Sequence, residues 1–168
     1  MLTNARLVYQ PHDQDRSINA AISQAHQLCA SSNKRLTPTR EAILRLLWQN
    51  NQPLGAYQLQ DLLAEMTGKK IAPPTVYRAI EFLLDLRLIH RIPSLNAFIG
   101  CPFPTFPSQE HSNMFMICEQ CKNVAEVADR QVNQLLDSIS RKINFKLNSQ
   151  SIELFGRCPN CRAGDTNG

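Results

Sequence analysis

From residue 18 to about residue 32, apolar side chains at Ile18, Ala21, Ile22, Ala25, Leu28 and Cys29 recur at helical spacing, which predicts a helix with one buried face. His26 lies off that stripe and reads as a surface residue, whereas Cys29 lies on it and reads as a small buried hydrophobe. Arg35-Leu36-Thr37-Pro38-Thr39-Arg40 has the form of a helix start. Thr37 is placed to cap the first amides, and Pro38 stands at the first helical position, where its missing N–H costs nothing. Ile43, Leu46 and Leu47 form the inner face of that helix, up to the polar break Asn50-Asn51-Gln52-Pro53. A third helix starts near Gly55, carries Leu59, Leu62, Leu63 and Met66 on one side, and stops at Gly68.

After Lys69-Lys70, the spacing of Val76, Ile80, Leu83 and Leu84 predicts a helix over 75–86, with Thr75, Tyr77 and Arg78 at its amino-terminal end and off the buried stripe. Two β-rich runs follow, 88–92 and 97–101, split by Pro93-Ser94-Leu95-Asn96, which is a hairpin signal. Three helices, a tight turn before the last and then a hairpin give the order of a winged helix-turn-helix. In that motif the first residues of the recognition helix meet DNA. Arg78 is the candidate for a base or phosphate contact, and Tyr77 and Thr75 for the backbone. The plainer alternative makes Tyr77 partly core and Arg78 an exposed helix residue.

Cys101-Pro102-Phe103-Pro104-Thr105-Phe106-Pro107 is incompatible with a helix or central strand and reads as a linker. Beyond it, 113–118 is an apolar strand and 123–127 its return. A helix fits 129–143, with Val132, Leu135, Leu136, Ile139 and Ile143 on one face and Asp129 near its positive end. A last strand fits 150–155.

Charge divides the chain. Residues 1–100 hold 11 Lys and Arg against 7 Asp and Glu, whereas 101–168 hold 7 against 7, so the whole net charge of +4 lies in the first part. A phosphate-binding surface there would account for it, as would a solvated surface with a chance bias. Residues 1–16 lack an apolar run long enough for a secretory signal, and no stretch approaches a membrane span. The expectation is a cytoplasmic protein with reduced thiols.

Four of the six cysteines form two pairs, Cys118-Glu119-Gln120-Cys121 and Cys158-Pro159-Asn160-Cys161. Two such loops aim four soft sulfurs at one point, the shell of a closed tetrahedral Zn²⁺ site, with an iron–sulfur cluster as the other candidate. The 36 residues between Cys121 and Cys158 hold a strand–helix–strand excursion, so a metal there would staple a small α/β domain. The remaining metal-capable residues, His90, Cys101, His111 and Glu126, gather around the linker. A mixed Cys/His/carboxylate shell suits tetrahedral Zn²⁺ better than Mg²⁺ or Ca²⁺. Taken singly, each also has a plain reading, Glu126 as a solvated strand position among them.

With these residues in hand, the chain resembles the ferric-uptake-regulator (Fur) family, most closely its zinc-responsive branch. The resemblance rests on Arg35-Leu36-Thr37-Pro38-Thr39-Arg40, Pro74-Thr75-Val76-Tyr77-Arg78-Ala79-Ile80, Leu88-Ile89-His90-Arg91 and Met116-Ile117-Cys118-Glu119-Gln120-Cys121 with Cys158 and Cys161, and covers roughly residues 18–162. It implies a homodimeric, cytoplasmic repressor that binds palindromic double-stranded DNA and is not an enzyme. Its fold would be α+β, a winged-helix DNA-binding domain (17–100) joined by a hinge (101–110) to a dimerisation domain (111–162) stapled by a Cys₄ zinc, with flexible ends at 1–16 and 163–168. Two Zn²⁺ per chain are implied, a structural one on Cys118, Cys121, Cys158 and Cys161 and a regulatory one on His90, Cys101, His111 and Glu126. DNA contacts are implied at Tyr57 and Arg78. Iron and peroxide sensors of the family carry a His-rich run before the first Cys pair; here the stretch reads Glu110-His111-Ser112-Asn113-Met114. The rival readings are a constitutive zinc-stapled interaction module, a sensor of another metal, and a zinc enzyme with Glu126 as its base.

Overall fold

The computed structural model describes residues 14–163 apart from positions 51, 103–113, 128 and 149. Most of the expected hinge, His111, and most of the two end segments at 1–16 and 163–168 lie outside the described residues. The described residues fall into two compact units. Among them, no helix is long and apolar enough to cross a membrane.

The first unit runs α1 (Gln14–Ser31), α2 (Pro38–Gln49), α3 (Ala56–Thr67), α4 (Pro73–Asp85), then β1 (Ile89–Ile92) and β2 (Ala97–Gly100) joined by a short 3₁₀ turn. Its core gathers most of the stripes read from the sequence, namely Ile18, Ile22, Ala25 and Cys29 of α1, Ile43, Leu46 and Leu47 of α2, Leu59 and Leu63 of α3, and Val76, Ile80 and Leu83 of α4, and adds Leu44 and Ala79; Met66, expected on the inner side of α3, is instead 54% exposed. Thr37 is the N-cap of α2, but its side chain makes no capping hydrogen bond, contrary to expectation. Pro38 removes one orphan donor and presets the backbone, so the start does not depend on that cap. The fourth helix begins two residues earlier than the apolar stripe implies, because Pro73 and Pro74 occupy its first two positions behind an extended Ala72. Gly68 ends α3 at φ 63°, a left-handed conformation that favours glycine. The hairpin is antiparallel, with Ile89 opposite Gly100 and His90 opposite Ile99. Leu54 adds one bridge on its far side, exchanging both backbone hydrogen bonds with Phe98 at 3.0 and 2.9 Å.

The second unit holds β3 (Met114–Cys118), β4 (Val124–Val127), α5 (Arg130–Lys142), β5 (Ile152–Gly156) and α6 (Pro159–Ala163). Its sheet has the order β4-β3-β5, with β4 antiparallel and β5 parallel to the central β3. The crossover from β4 to β5 is made by α5, as a parallel pair requires. Asp129 caps that helix, accepting hydrogen bonds from the N–H groups of Gln131 (2.7 Å) and Val132 (3.1 Å). Yet α5 buries none of its residues, although its apolar face is complete.

Candidate metal centres and nucleic-acid interface

The parallel register of β3 and β5 sets Cys118 beside Gly156, and the Glu119 N–H donates to the Gly156 carbonyl at 2.8 Å. Both strands therefore end level with each other, and each continues directly into a Cys-x-x-Cys loop. The first loop closes with the Lys122 N–H donating to the Cys118 carbonyl (2.9 Å), the second with Arg162 donating to Cys158 (2.9 Å). All four sulfurs, of Cys118, Cys121, Cys158 and Cys161, lie within 4.8 Å of one another. The Cys121 and Cys158 sulfurs are 3.7 Å apart, far beyond a disulfide bond. That separation matches the edge of a tetrahedron with metal–sulfur bonds of about 2.3 Å, which is roughly 3.8 Å. The donor set and its spacing thus fit Zn²⁺.

The thiols are not equivalent. Backbone N–H groups of Cys121 and Cys158 bring the Cys118 thiol down to about 6, with Cys158 N 3.4 Å from its sulfur. Cys121 is raised, chiefly by burial. Cys161 is pushed up to about 12, first by its hydrogen bond with Cys158 and then by burial. One thiolate forms readily while Cys121 and Cys161 hold their protons, so a cation is needed before those two ionise as well.

A second pair of donors belongs to the hairpin. The Cys101 N–H donates to the Leu88 carbonyl at 2.9 Å, extending the β1–β2 ladder by one step. His90 and Cys101 are then diagonal neighbours on one face of the ribbon. A ring nitrogen of His90 and the Cys101 sulfur lie within 4.8 Å of each other. Cys101 is buried and His90 half-buried. Glu126, opposite Phe115 in the β3–β4 ladder, is only 2% exposed, so its reading as a solvated strand position is wrong. A carboxylate buried on an otherwise apolar strand demands a compensating partner. His111 lies outside the described residues.

The residues considered for DNA contact stand at helix starts. Tyr57 lies in the first turn of α3 and is 71% exposed. Thr75, Tyr77 and Arg78 are exposed near the start of α4, whose inward face is Val76, Ala79, Ile80 and Leu83. Tyr77 is 44% exposed and Arg78 is exposed, as the plainer alternative also has it. Arg40 goes elsewhere: its guanidinium stacks 3.4 Å from the Phe82 ring centre, and Nη1 donates to the Arg35 carbonyl at 2.6 Å. The motif that opens α2 thus spends its last arginine on packing, which no spacing rule signals. His26 is exposed, as expected, and pairs with Glu41 at 3.2 Å. Cys29 is buried, as expected, and burial pushes its thiol up.

Comparison with known proteins accords with this geometry. The chain is 36% identical over 140 residues to the zinc uptake regulation protein of Escherichia coli K12, a match spanning 83% of this chain and 80% of that protein. Among solved structures, it resembles a zinc uptake regulator complexed with zinc and DNA (34% identity, TM-score 0.82, 89% of this chain and 97% of that one). It likewise resembles holo XcZur (36% identity, TM-score 0.77, 86% and 99%). The model of the ferric uptake regulator family matches residues 31–155, most of the chain, and this protein belongs to that family.

Proposed function

We propose that the chain is a zinc-responsive transcriptional repressor that works in the cytoplasm as a homodimer on palindromic operator DNA and controls zinc-uptake genes. The observation that carries this reading is the pair His90 and Cys101, set on the hairpin that directly follows the helix bearing Thr75, Tyr77 and Arg78. It draws support from the similarity to zinc uptake regulators, one of them solved with zinc and DNA.

Two sites have separate tasks in this proposal. Cys118, Cys121, Cys158 and Cys161 form the structural site: closed, all-sulfur, and joining the ends of β3 and β5. His90, Cys101, His111 and Glu126 form the regulatory site, two donors preceding the Pro-rich stretch and two following it. When bound there, Zn²⁺ supplies a tetrahedral tie among nitrogen, sulfur and oxygen donors. The neutral imidazole of His90 and the thiolate of Cys101 hold the hairpin side, and the buried Glu126 carboxylate supplies the charge that offsets the cation. Tying the two units sets the spacing of the recognition helices in the dimer, so less ordering entropy is lost when DNA binds. Arg78 then reaches a base edge or phosphate, and Tyr57, Thr75 and Tyr77 the backbone.

The test is binding of the full chain to a duplex selected from a random library, measured across a buffered zinc series. Binding should strengthen roughly 5–150-fold as the second zinc enters, the usual range of allosteric coupling. Cys101→Ser should keep one zinc and lose that gain. Binding that ignores the zinc buffer points to a static module and overturns the proposal, as does a second metal other than zinc giving the only response.

A further inference from the structure

The chain has one tryptophan, Trp48, in the last turn of α2. Its indole lies against Gly100 so closely that a Cβ there would stand 2.5 Å from Nε1 and 2.8 Å from both Cδ1 and Cε2. Gly100 has no side chain because the indole occupies that space. Nε1 is buried and has no hydrogen-bond partner among the described residues. An orphaned buried donor carries a desolvation cost that a phenylalanine at the same place would not. Polar satisfaction therefore does not explain why an indole stands there, whereas its contact with the strand does.

What it touches matters. Gly100 pairs with Ile89 across the hairpin. Gly100 is followed by Cys101 and Ile89 by His90, so the pair under the indole is flanked by both hairpin donors. The helix that carries Trp48 packs on β2 and on α4 alike. A close-packed contact of this kind transmits displacement instead of absorbing it.

We infer that Trp48 is a positioning residue for the His90–Cys101 pair and the wedge through which that pair bears on the DNA-reading helix. This rests on the assignment of His90 and Cys101 to a regulatory metal site. The indole fixes the strand pair between the two donors, and a metal-driven shift of that pair moves α2, which leans on the buried face of α4.

Three variants of the full chain test it: Trp48→Phe, Gly100→Ala and the double variant, with Cys101→Ser as reference. Cobalt(II) serves as a spectroscopic probe after the Cys₄ site is filled with zinc, and operator affinity is read with and without zinc. In the parent, metal should change Trp48 fluorescence, and Cys101→Ser should abolish the change. Trp48→Phe should leave metal-free DNA binding intact and cut the zinc-induced gain at least threefold, within the 5–150-fold that such couplings typically span. Gly100→Ala adds one methyl and removes nothing, so it makes the same test should Trp48→Phe unfold; it should shift the cobalt–thiolate absorption and weaken metal uptake. The smaller ring of Phe should make room for that methyl, so the double variant should recover the parental cobalt spectrum. A parental zinc gain in Trp48→Phe, or a parental cobalt spectrum in Gly100→Ala, overturns the wedge while the loss in Cys101→Ser leaves the metal assignment standing. A full gain in Cys101→Ser overturns the assignment itself.

Discussion

Two arginines of the first unit separate packing from the proposed recognition. Arg40 is held over Phe82 and bonded to the Arg35 carbonyl, so its charge is committed to joining the start of α2 to the outer side of α4. Arg78 stands exposed one turn into α4, beside the exposed Tyr77. Alanine at each should therefore fail in a different assay. Arg78→Ala should weaken operator binding by about 1–3 kcal/mol while zinc content and melting temperature stay parental. Arg40→Ala should instead lower stability, by about 0.5–2 kcal/mol for the lost cation–π contact, with a smaller effect on DNA binding per folded molecule. Thermal melts paired with binding isotherms decide it; an Arg78→Ala chain that binds normally removes α4 from the recognition role.

At the scale of elements, the metal staple makes a pH-dependent join. In the metal-free chain at pH 7, Cys118 is the thiolate, since its thiol is lowered to about 6, while Cys121 and Cys161 keep their protons because both are raised. Loading Zn²⁺ at that pH should therefore release protons from at least Cys121 and Cys161, measurable by calorimetry in buffers of different ionisation enthalpy. For Cys118 itself the sign is that of a depressed group. Its contribution to the metal-free fold is present above the ordinary thiol range and fades as pH falls through about 6. Acidification should thus release the metal and loosen the second unit together, and Cys118→Ser should lower the melting temperature markedly at neutral pH and progressively less as pH falls through about 6. An unchanged melt would refute the structural role.

The elements were also what the sequence disclosed best. Stripes such as Val76, Ile80 and Leu83 force one helix face inward whatever the tertiary context, and the Cys-x-x-Cys spacing is a local constraint, so both were legible. Illegible features depend on non-local contact. Glu126 looks like an exposed strand residue until its strand is seen buried along its length. Trp48 looks like an ordinary end to an amphipathic helix until Gly100 is seen beneath it. The first turn of α4 was placed late because two prolines, poor helix residues in general, are good ones at the very start.

For the whole molecule the deciding feature is apolar surface that one chain does not bury. On α5, Leu135 is 60% exposed and Ile139 47%, its C-cap Ile143 is 70% exposed, and the sheet adds exposed Met116, Leu154 and Phe155. Apolar side chains left in water by one copy in this number are what an interface covers. A closed two-fold dimer covers the same face on both copies at once, and its symmetry would be mirrored in an operator of two inverted half-sites. Leu135→Glu tests this cleanly. Leu and Glu have similar helix propensity, and the site is exposed in the single chain, so the fold of one copy should be unaffected. In the dimer the substitution occurs twice and places an unpaired carboxylate against apolar surface each time. A cost of about 3 kcal/mol corresponds to a dissociation constant raised ~100-fold. Sedimentation equilibrium should then find monomers at concentrations where the proposed dimer of the parent forms, with unchanged circular dichroism and zinc content. On the proposed two-fold dimer, the same variant should bind a single half-site as well as the parent does but lose the advantage of the full palindrome. A Leu135→Glu chain that remains dimeric places the interface on another surface and leaves the exposed α5 face without the role argued for it.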